Sequence, residues 1–105
     1  KTRTDEAVKL LSEAIALRSD YADAHYQLGK IYIEKGETEK AIIELEAAVS
    51  ADAKRDYIHY QLSIAYRKAA RREDADRELK IYQELKSQNR KTESLMPVIS
   101  KKNAP

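Results

Sequence analysis

A 34-residue periodicity constrains the fold of this chain more than any other feature. The tetrapeptide HYQL occurs at residues 25–28 and again at 59–62. With the same offset, residues 22–55 and 56–89 share nine identities in 34 positions, where unrelated sequences would share roughly two. Residues 1–21 align with the second half of this unit. The chain is therefore predicted to be a repeat array with two complete units.

The apolar residues within each unit recur with the period of an α-helix rather than a strand. Leu28, Ile31 and Tyr32 lie at helical intervals, as do Leu45 and Val49 in the second half of the unit. Applied along the chain, this pattern predicts five helices, at 4–17, 21–35, 38–50, 57–69 and about 72–88.

Helix ends and helix contacts can be assigned from small and polar residues. Asp20 is expected to cap the second helix, Gly36 to end it in the left-handed conformation, and Thr38 to open the third. Gly29 and Ala41 are expected where these two helices approach most closely, because small side chains let the backbones come together.

The unit resembles the tetratricopeptide repeat, a helix-turn-helix motif of the same length. The resemblance implies an all-α fold in which antiparallel helix pairs stack into a right-handed superhelical solenoid, here with five helices plus a tail. Residues 22–55 carry the motif residues Leu28, Gly29, Tyr32, Gly36, Ala41, Leu45 and Ala48. Residues 56–89 carry Leu62, Tyr66, Ala75 and Leu79, with Ser63 and Ala70 in place of the glycines.

Further departures from the family motif affect packing. His25 and His59 occupy the early large position, and we expect each to fill it with its polar edge at the surface, too far from the other to share a metal. Ala53 stands in place of a proline. Tyr82 replaces a small residue that would let another unit dock. Residues 56–89 are therefore predicted to be a terminal repeat with an extended last helix.

The two ends of the array differ in character. Val8, Leu11 and Ile15 form an apolar face whose partner helix lies outside this sequence, so we expect the chain to be an excerpt of a longer repeat protein. Self-association through that face is expected for the same reason. Residues 90–105 are predicted to be a basic, flexible tail.

Composition and motifs exclude several functional classes. The 105-residue chain has no Cys, no long apolar segment and no apolar signal sequence at its start, so we expect a soluble, cytoplasmic protein. It has two histidines and no phosphate-binding loop, zinc motif or calcium loop. We expect no catalysis, no cofactor, no metal and no small-molecule substrate.

The resemblance implies that the first helix of each unit lines a concave groove that binds an extended peptide or a partner helix. Tyr26, Tyr57 and Tyr60 are expected to anchor the partner, because rigid aromatic side chains bury much area at a small cost in entropy. The family's groove positions correspond here to Asp23, Tyr26, Lys30, Ile33 and Glu34, and to Tyr57, Tyr60, Ile64, Arg67 and Lys68. In this interpretation the isoleucines are exposed, and Lys30, Arg67 and Lys68 form a positive rim.

Other interpretations of the same residues stay open. Tyr26 and Tyr60 could only shield neighbouring helices, and the whole chain could be a structural spacer or scaffold segment. A third possibility is an electrostatic tether to nucleic acid through Arg67, Lys68, Arg71, Arg72 and the basic tail. Nucleic acid is not the expected partner, because residues 1–85 carry a net charge of −2 and the +4 resides in residues 86–105. The family's carboxylate-gripping site is also not expected, because Lys30 and Ile64 replace its asparagines.

Overall fold

Five helices make up the computed structural model, which describes the backbone of residues 2–103 and the side chains of residues 3–93. They are α1 (Thr2–Leu17), α2 (Ala22–Glu34), α3 (Thr38–Ala51), α4 (Asp56–Lys68) and α5 (Arg72–Asn103). The ends of the first four lie within two residues of the predicted ends. The prediction for the last helix is wrong at its C-terminus: α5 continues to Asn103, through most of the segment expected to be a flexible tail.

Successive helices pack against one another in chain order, and α2 also contacts α4. The first helices of the two complete repeats therefore lie side by side and share one surface. The main cluster of the hydrophobic core lies between α3, α4 and α5, with side chains of α2 packed against it. It consists of Ala41, Ile42, Leu45, Leu62, Ala65, Tyr66 and Ala75, all buried.

The closest helix contact is where the sequence predicts it. A Cβ atom added to Gly29 would lie 2.5 Å from Cγ of Leu45, a distance that real atoms do not adopt. Leu45 and Ala41 are both fully buried. Glycine is therefore required in α2 because the Leu45 side chain of α3 packs directly on its backbone.

Both repeats end their first helix with the same hydrogen-bond motif. After α2, Gly36 has a φ of +79°, its N–H donates to Ile33 (3.0 Å), and the next N–H donates to Tyr32 (2.8 Å). After α4, Ala70 takes the same conformation with a φ of +62°. Its N–H and that of the following residue donate to the equivalent carbonyl groups. This is the Schellman motif, and it confirms the predicted role of Gly36.

The predicted cap of α2 is wrong. Tyr21, not Asp20, occupies the N-cap position, and its side chain makes no capping hydrogen bond. Asp20 instead accepts a hydrogen bond from Arg18. Thr38 does begin α3, but Glu37 is its N-cap residue, again without a side-chain cap.

Candidate functional site

One tyrosine from each of the adjacent helices α2 and α4 forms an edge-to-face pair. The ring centroids of Tyr26 and Tyr57, here called the first tyrosine pair, lie 4.9 Å apart at an interplanar angle of 68°. The Nζ of Lys30, one turn after Tyr26, lies 5.0 Å from the centroid of that ring. Burial, and secondarily the neighbouring Tyr57, raise the pKa of Tyr26. The structure thus brings together three of the predicted groove residues.

Arg55, which the sequence analysis did not single out, holds this pair at one end. Its Nη1 donates to the Tyr57 hydroxyl at 3.0 Å and also contacts the Asp23 carboxylate. Its Nε donates to Oδ2 of Asp52 at 2.7 Å. The hydrogen bonds to Tyr57 and Asp52 raise the pKa of Arg55. The sequence carries no signal for this contact, because Arg55 and Asp23 are 32 positions apart and only the fold brings them together.

A second tyrosine pair joins α4 to α5. The ring centroids of Tyr60 and Tyr82 lie 5.0 Å apart at an angle of 47°. Lys86 lies 5.4 Å from the Tyr82 centroid, and its Nζ donates to the Tyr82 hydroxyl at 3.1 Å. The departure of Tyr82 from the family motif was the signal that could have extended the predicted site onto α5.

The remaining predicted groove residues lie outside the two pairs. Ile33 is half-buried and packs against the core, and Ile64 is also half-buried. The prediction that both isoleucines are exposed is therefore wrong. Glu34, Arg67 and Lys68 are exposed. Arg67 lines a surface depression with Ala70, Arg72 and Asp76, at the corner between α4 and α5.

The two histidines connect elements within each repeat. His25 Nδ1 lies 2.8 Å from Oε1 of Glu44, and His59 Nδ1 lies 2.7 Å from Oε1 of Glu78. Each Nε2 lies 2.7–2.8 Å from a carbonyl oxygen of the preceding loop, and therefore donates to it, because a carbonyl can only accept. Both histidines are buried. The expectation of a polar edge at the surface is wrong, since both ring nitrogens of each histidine are hydrogen-bonded within the protein.

These histidine–glutamate pairs do not form a metal site. Within the part of the chain that the structure describes, no group of three or more His, Cys, Asp or Glu side chains could hold a metal ion. The described helices also include none that is both long and apolar enough to cross a membrane.

The comparison with protein families agrees with the repeat geometry. The family described as tetratricopeptide repeat matches residues 2–62, more than half of the chain. The chain belongs to the tetratricopeptide-repeat family. As a member it is a helical-repeat, protein-interaction scaffold, a class that is typically non-catalytic. No curated protein matches the chain.

Crystal structures of MamA are similar to this chain. One has a TM-score of 0.80 and 31% identity, over 85% of this chain and 52% of the MamA chain. Another has a TM-score of 0.74 and 32% identity, over 84% of this chain and 48% of that one. A third MamA structure, at 22% identity and a TM-score of 0.76, supports the fold alone. The chain spans about half the length of these MamA chains.

Proposed function

We propose that this chain is a non-catalytic module that binds a peptide or a partner helix in the groove formed by α2, α4 and the adjoining part of α5. The observation that carries the proposal is the two tyrosine pairs, each partly open to solvent. Tyr57 and Tyr60 are 39% and 43% exposed. Half-exposed aromatic rings on rigid helices suit an interface, because they lose little entropy when a partner covers them.

The charges around the groove support an acidic partner. Among side chains 3–93, Lys30, Lys86, Arg67 and Lys68 form no salt bridge. Of the two acidic groove residues, Asp23 is paired with Arg55, and Glu34 is exposed at the C-terminal end of α2. The proposed partner therefore presents apolar side chains to the tyrosines and carboxylates to the surrounding cations. Such an interface weakens with salt, because its exposed charges are screened.

The experiment that tests this proposal is affinity capture from a lysate of the source organism. The chain is compared with a Tyr26→Ala/Tyr60→Ala variant and with a Tyr21→Ala control, which removes an exposed tyrosine of the α1–α2 loop. Circular dichroism checks that the three proteins are equally helical. We expect partners that the double variant loses and the control keeps, with retention falling at high salt. Identical sets from all three proteins would contradict the proposal and favour a spacer.

Self-association is a second candidate function, favoured by one observation on α1. Leu10 and Leu17, seven residues apart and so on the same side of the helix, are 65% and 90% exposed. Val8, Leu11 and Ile15, the face expected to be uncovered, are half-buried instead. Light scattering at high protein concentration tests this candidate, and the mass of a single chain would exclude it.

The electrostatic tether receives less support from the structure. Arg71 is paired with Asp74, which also pairs with Arg77, and Asp76 lies in the depression next to Arg67. These carboxylates reduce the positive field of the corner. Absence of RNA or DNA retention in low-salt filter binding would exclude the tether.

A further inference from the structure

Three successive contacts link four side chains across the first turns of α2 and α4. Asp23 and Tyr26 lie one turn apart on α2, while Arg55 and Tyr57 lie at the start of α4. Arg55 contacts the Asp23 carboxylate and donates to the Tyr57 hydroxyl, and the Tyr57 ring packs edge-on against Tyr26. The contacts therefore run from Asp23 through Arg55 and Tyr57 to Tyr26, and they tie α4 to α2 at two points.

Arg55 is itself fixed from a third element. Asp52 ends α3 and accepts from the Arg55 Nε at 2.7 Å. A guanidinium presents its donors in a rigid planar fork, so two carboxylates leave it little freedom. The guanidinium that donates to the Tyr57 hydroxyl is therefore fixed in position. Rotation of the Tyr57 ring would break this hydrogen bond, so the bond restricts a ring that is otherwise exposed to solvent.

The second tyrosine pair has no comparable restraint. The hydroxyl of Tyr82 accepts from Lys86 of its own helix, through a flexible side chain. Among the described residues, the hydroxyl of Tyr60 has no hydrogen-bond partner. The position equivalent to Arg55 in the next unit is Asn89, on the exposed part of α5. Among side chains 3–93, this set of contacts is therefore found at the first pair and not at the second.

We propose that Arg55 is a positioning residue that holds Tyr57 edge-on against Tyr26 in the free protein and so pre-forms the first half of the groove. The importance of this arrangement for binding rests on the proposed function, but the arrangement itself does not. A pre-formed pair has less side-chain entropy to lose when a partner binds. The second pair, in contrast, adapts to the partner.

The test uses the free chain with NMR-labelled tyrosines and measures ring-to-ring cross-peaks. In Arg55→Gln, we expect the Tyr26–Tyr57 cross-peaks to fall several-fold and the Tyr60–Tyr82 cross-peaks to stay unchanged. The pKa of Tyr26 should fall toward its ordinary value as Tyr57 moves away. A loss of global stability alone would not weaken the Tyr26–Tyr57 cross-peaks or lower the pKa of Tyr26 while the Tyr60–Tyr82 cross-peaks stay unchanged. Unchanged Tyr26–Tyr57 cross-peaks in Arg55→Gln would overturn the proposal.

A second variant separates positioning from folding. Tyr57→Phe removes only the hydroxyl and keeps both carboxylate contacts of Arg55. We expect it to weaken the Tyr26–Tyr57 cross-peaks. The double variant Arg55→Gln/Tyr57→Phe should weaken them no further, because each change removes the same Arg55–Tyr57 hydrogen bond. Full cross-peaks in Tyr57→Phe would also overturn the proposal. Since no partner is present, failure of the proposed function would leave these results unaffected.

Discussion

Residues 22–55 and 56–89 share a backbone but differ at the positions where that backbone is most demanding. The first repeat places Gly29 at the close helix contact and Gly36 at the left-handed turn, where the second has Ser63 and Ala70. Both turns nevertheless form the same pair of hydrogen bonds. Many contacts therefore specify the unit together, so that the second repeat keeps the conformation without either glycine.

The repeats also bury equivalent residues to different extents. Leu45 is fully buried, whereas Leu79 at the same position is half-buried. For the glutamates that bind the histidines, the second repeat is the more buried one. The side chain of Glu78 is 10% exposed and that of Glu44 is 23% exposed. The energetic weight of a motif position therefore differs between the two units, which single substitutions can measure.

The largest expected difference concerns the two glutamates that bind the histidines. Glu78→Leu should cost about 3 kcal/mol of unfolding free energy, because it leaves Nδ1 of His59 buried without a partner. Glu44→Leu should cost about 1 kcal/mol, because water reaches that pair more easily. Chemical denaturation measures both values. Glu78→Gln is the matched control, since its amide can accept from a protonated Nδ1 or donate to an unprotonated one. Equal costs for the two leucine variants would refute the difference in weight.

The close helix contact gives the next largest effect. Gly29→Ala should cost about 2 kcal/mol, because its Cβ would lie 2.5 Å from Cγ of the fully buried Leu45. This cost exceeds the roughly 1 kcal/mol by which alanine favours a helix. In the second repeat, Ser63→Gly should cost about 1 kcal/mol through weaker helix propensity and the lost hydrogen bond to the Tyr60 carbonyl. Thermal unfolding measures the stability of both variants. A Gly29→Ala variant more stable than the original chain would contradict the prediction and show that α2 and α3 can move apart enough to fit the added methyl group.

A pH effect is expected from Tyr66 of the second repeat. Burial, and then its hydrogen bond to Glu46, raise the pKa of Tyr66 above its ordinary value of about 10. The folded state therefore keeps a proton that the unfolded chain loses. Stability should be complete below about pH 10 and should fall above it, by at most about 1.4 kcal/mol per pH unit from this group. Denaturation between pH 9 and about 11 should show a flatter slope for Tyr66→Phe, and an unchanged slope would contradict the assignment.

The turn residues provide the smallest predicted effect, with opposite signs in the two repeats. Gly36→Ala should cost about 1 kcal/mol, because a side chain at a φ of +79° is strained. Ala70→Gly should gain less than about 1 kcal/mol, since relief of strain exceeds the entropy that glycine adds to the unfolded chain. Melting temperatures measure both. Two changes of the same sign would show that strain does not set the stability of these turns.

Local sequence patterns predict the local part of this structure well. The ends of α1–α4, the turn at Gly36 and the contact at Gly29 follow from hydrophobic periodicity and from residues that lack a bulky side chain. The end of α5 could not be predicted in this way, because the apolar periodicity fades after Leu85 while the helix continues to Asn103. A polar segment gives no signal for where a helix that is already formed will stop.

Contacts between distant elements were beyond the reach of the sequence. The groove tyrosines were predicted, but Arg55 was not, because its partner Asp23 lies 32 positions away at the other end of the same repeat. The histidine–glutamate pairs were missed for a similar reason: each pair spans 19 residues and two helices. Such pairings depend on how each helix is rotated about its axis, to within a fraction of a turn, and hydrophobic spacing does not determine this rotation that closely.

The length of α5 has a mechanical consequence. At 32 residues it measures about 48 Å, against about 20 Å for the 13-residue α4 on which it packs. Residues 86–93 are exposed throughout. The helix therefore continues past the second repeat, and its exposed part begins one turn after Tyr82, beside the proposed groove. Because the part of α5 beyond Leu85 is about 27 Å long, a tilt of about 10° at Leu85 would displace its far end by about 5 Å. A small movement of the groove would thus be amplified at a distance.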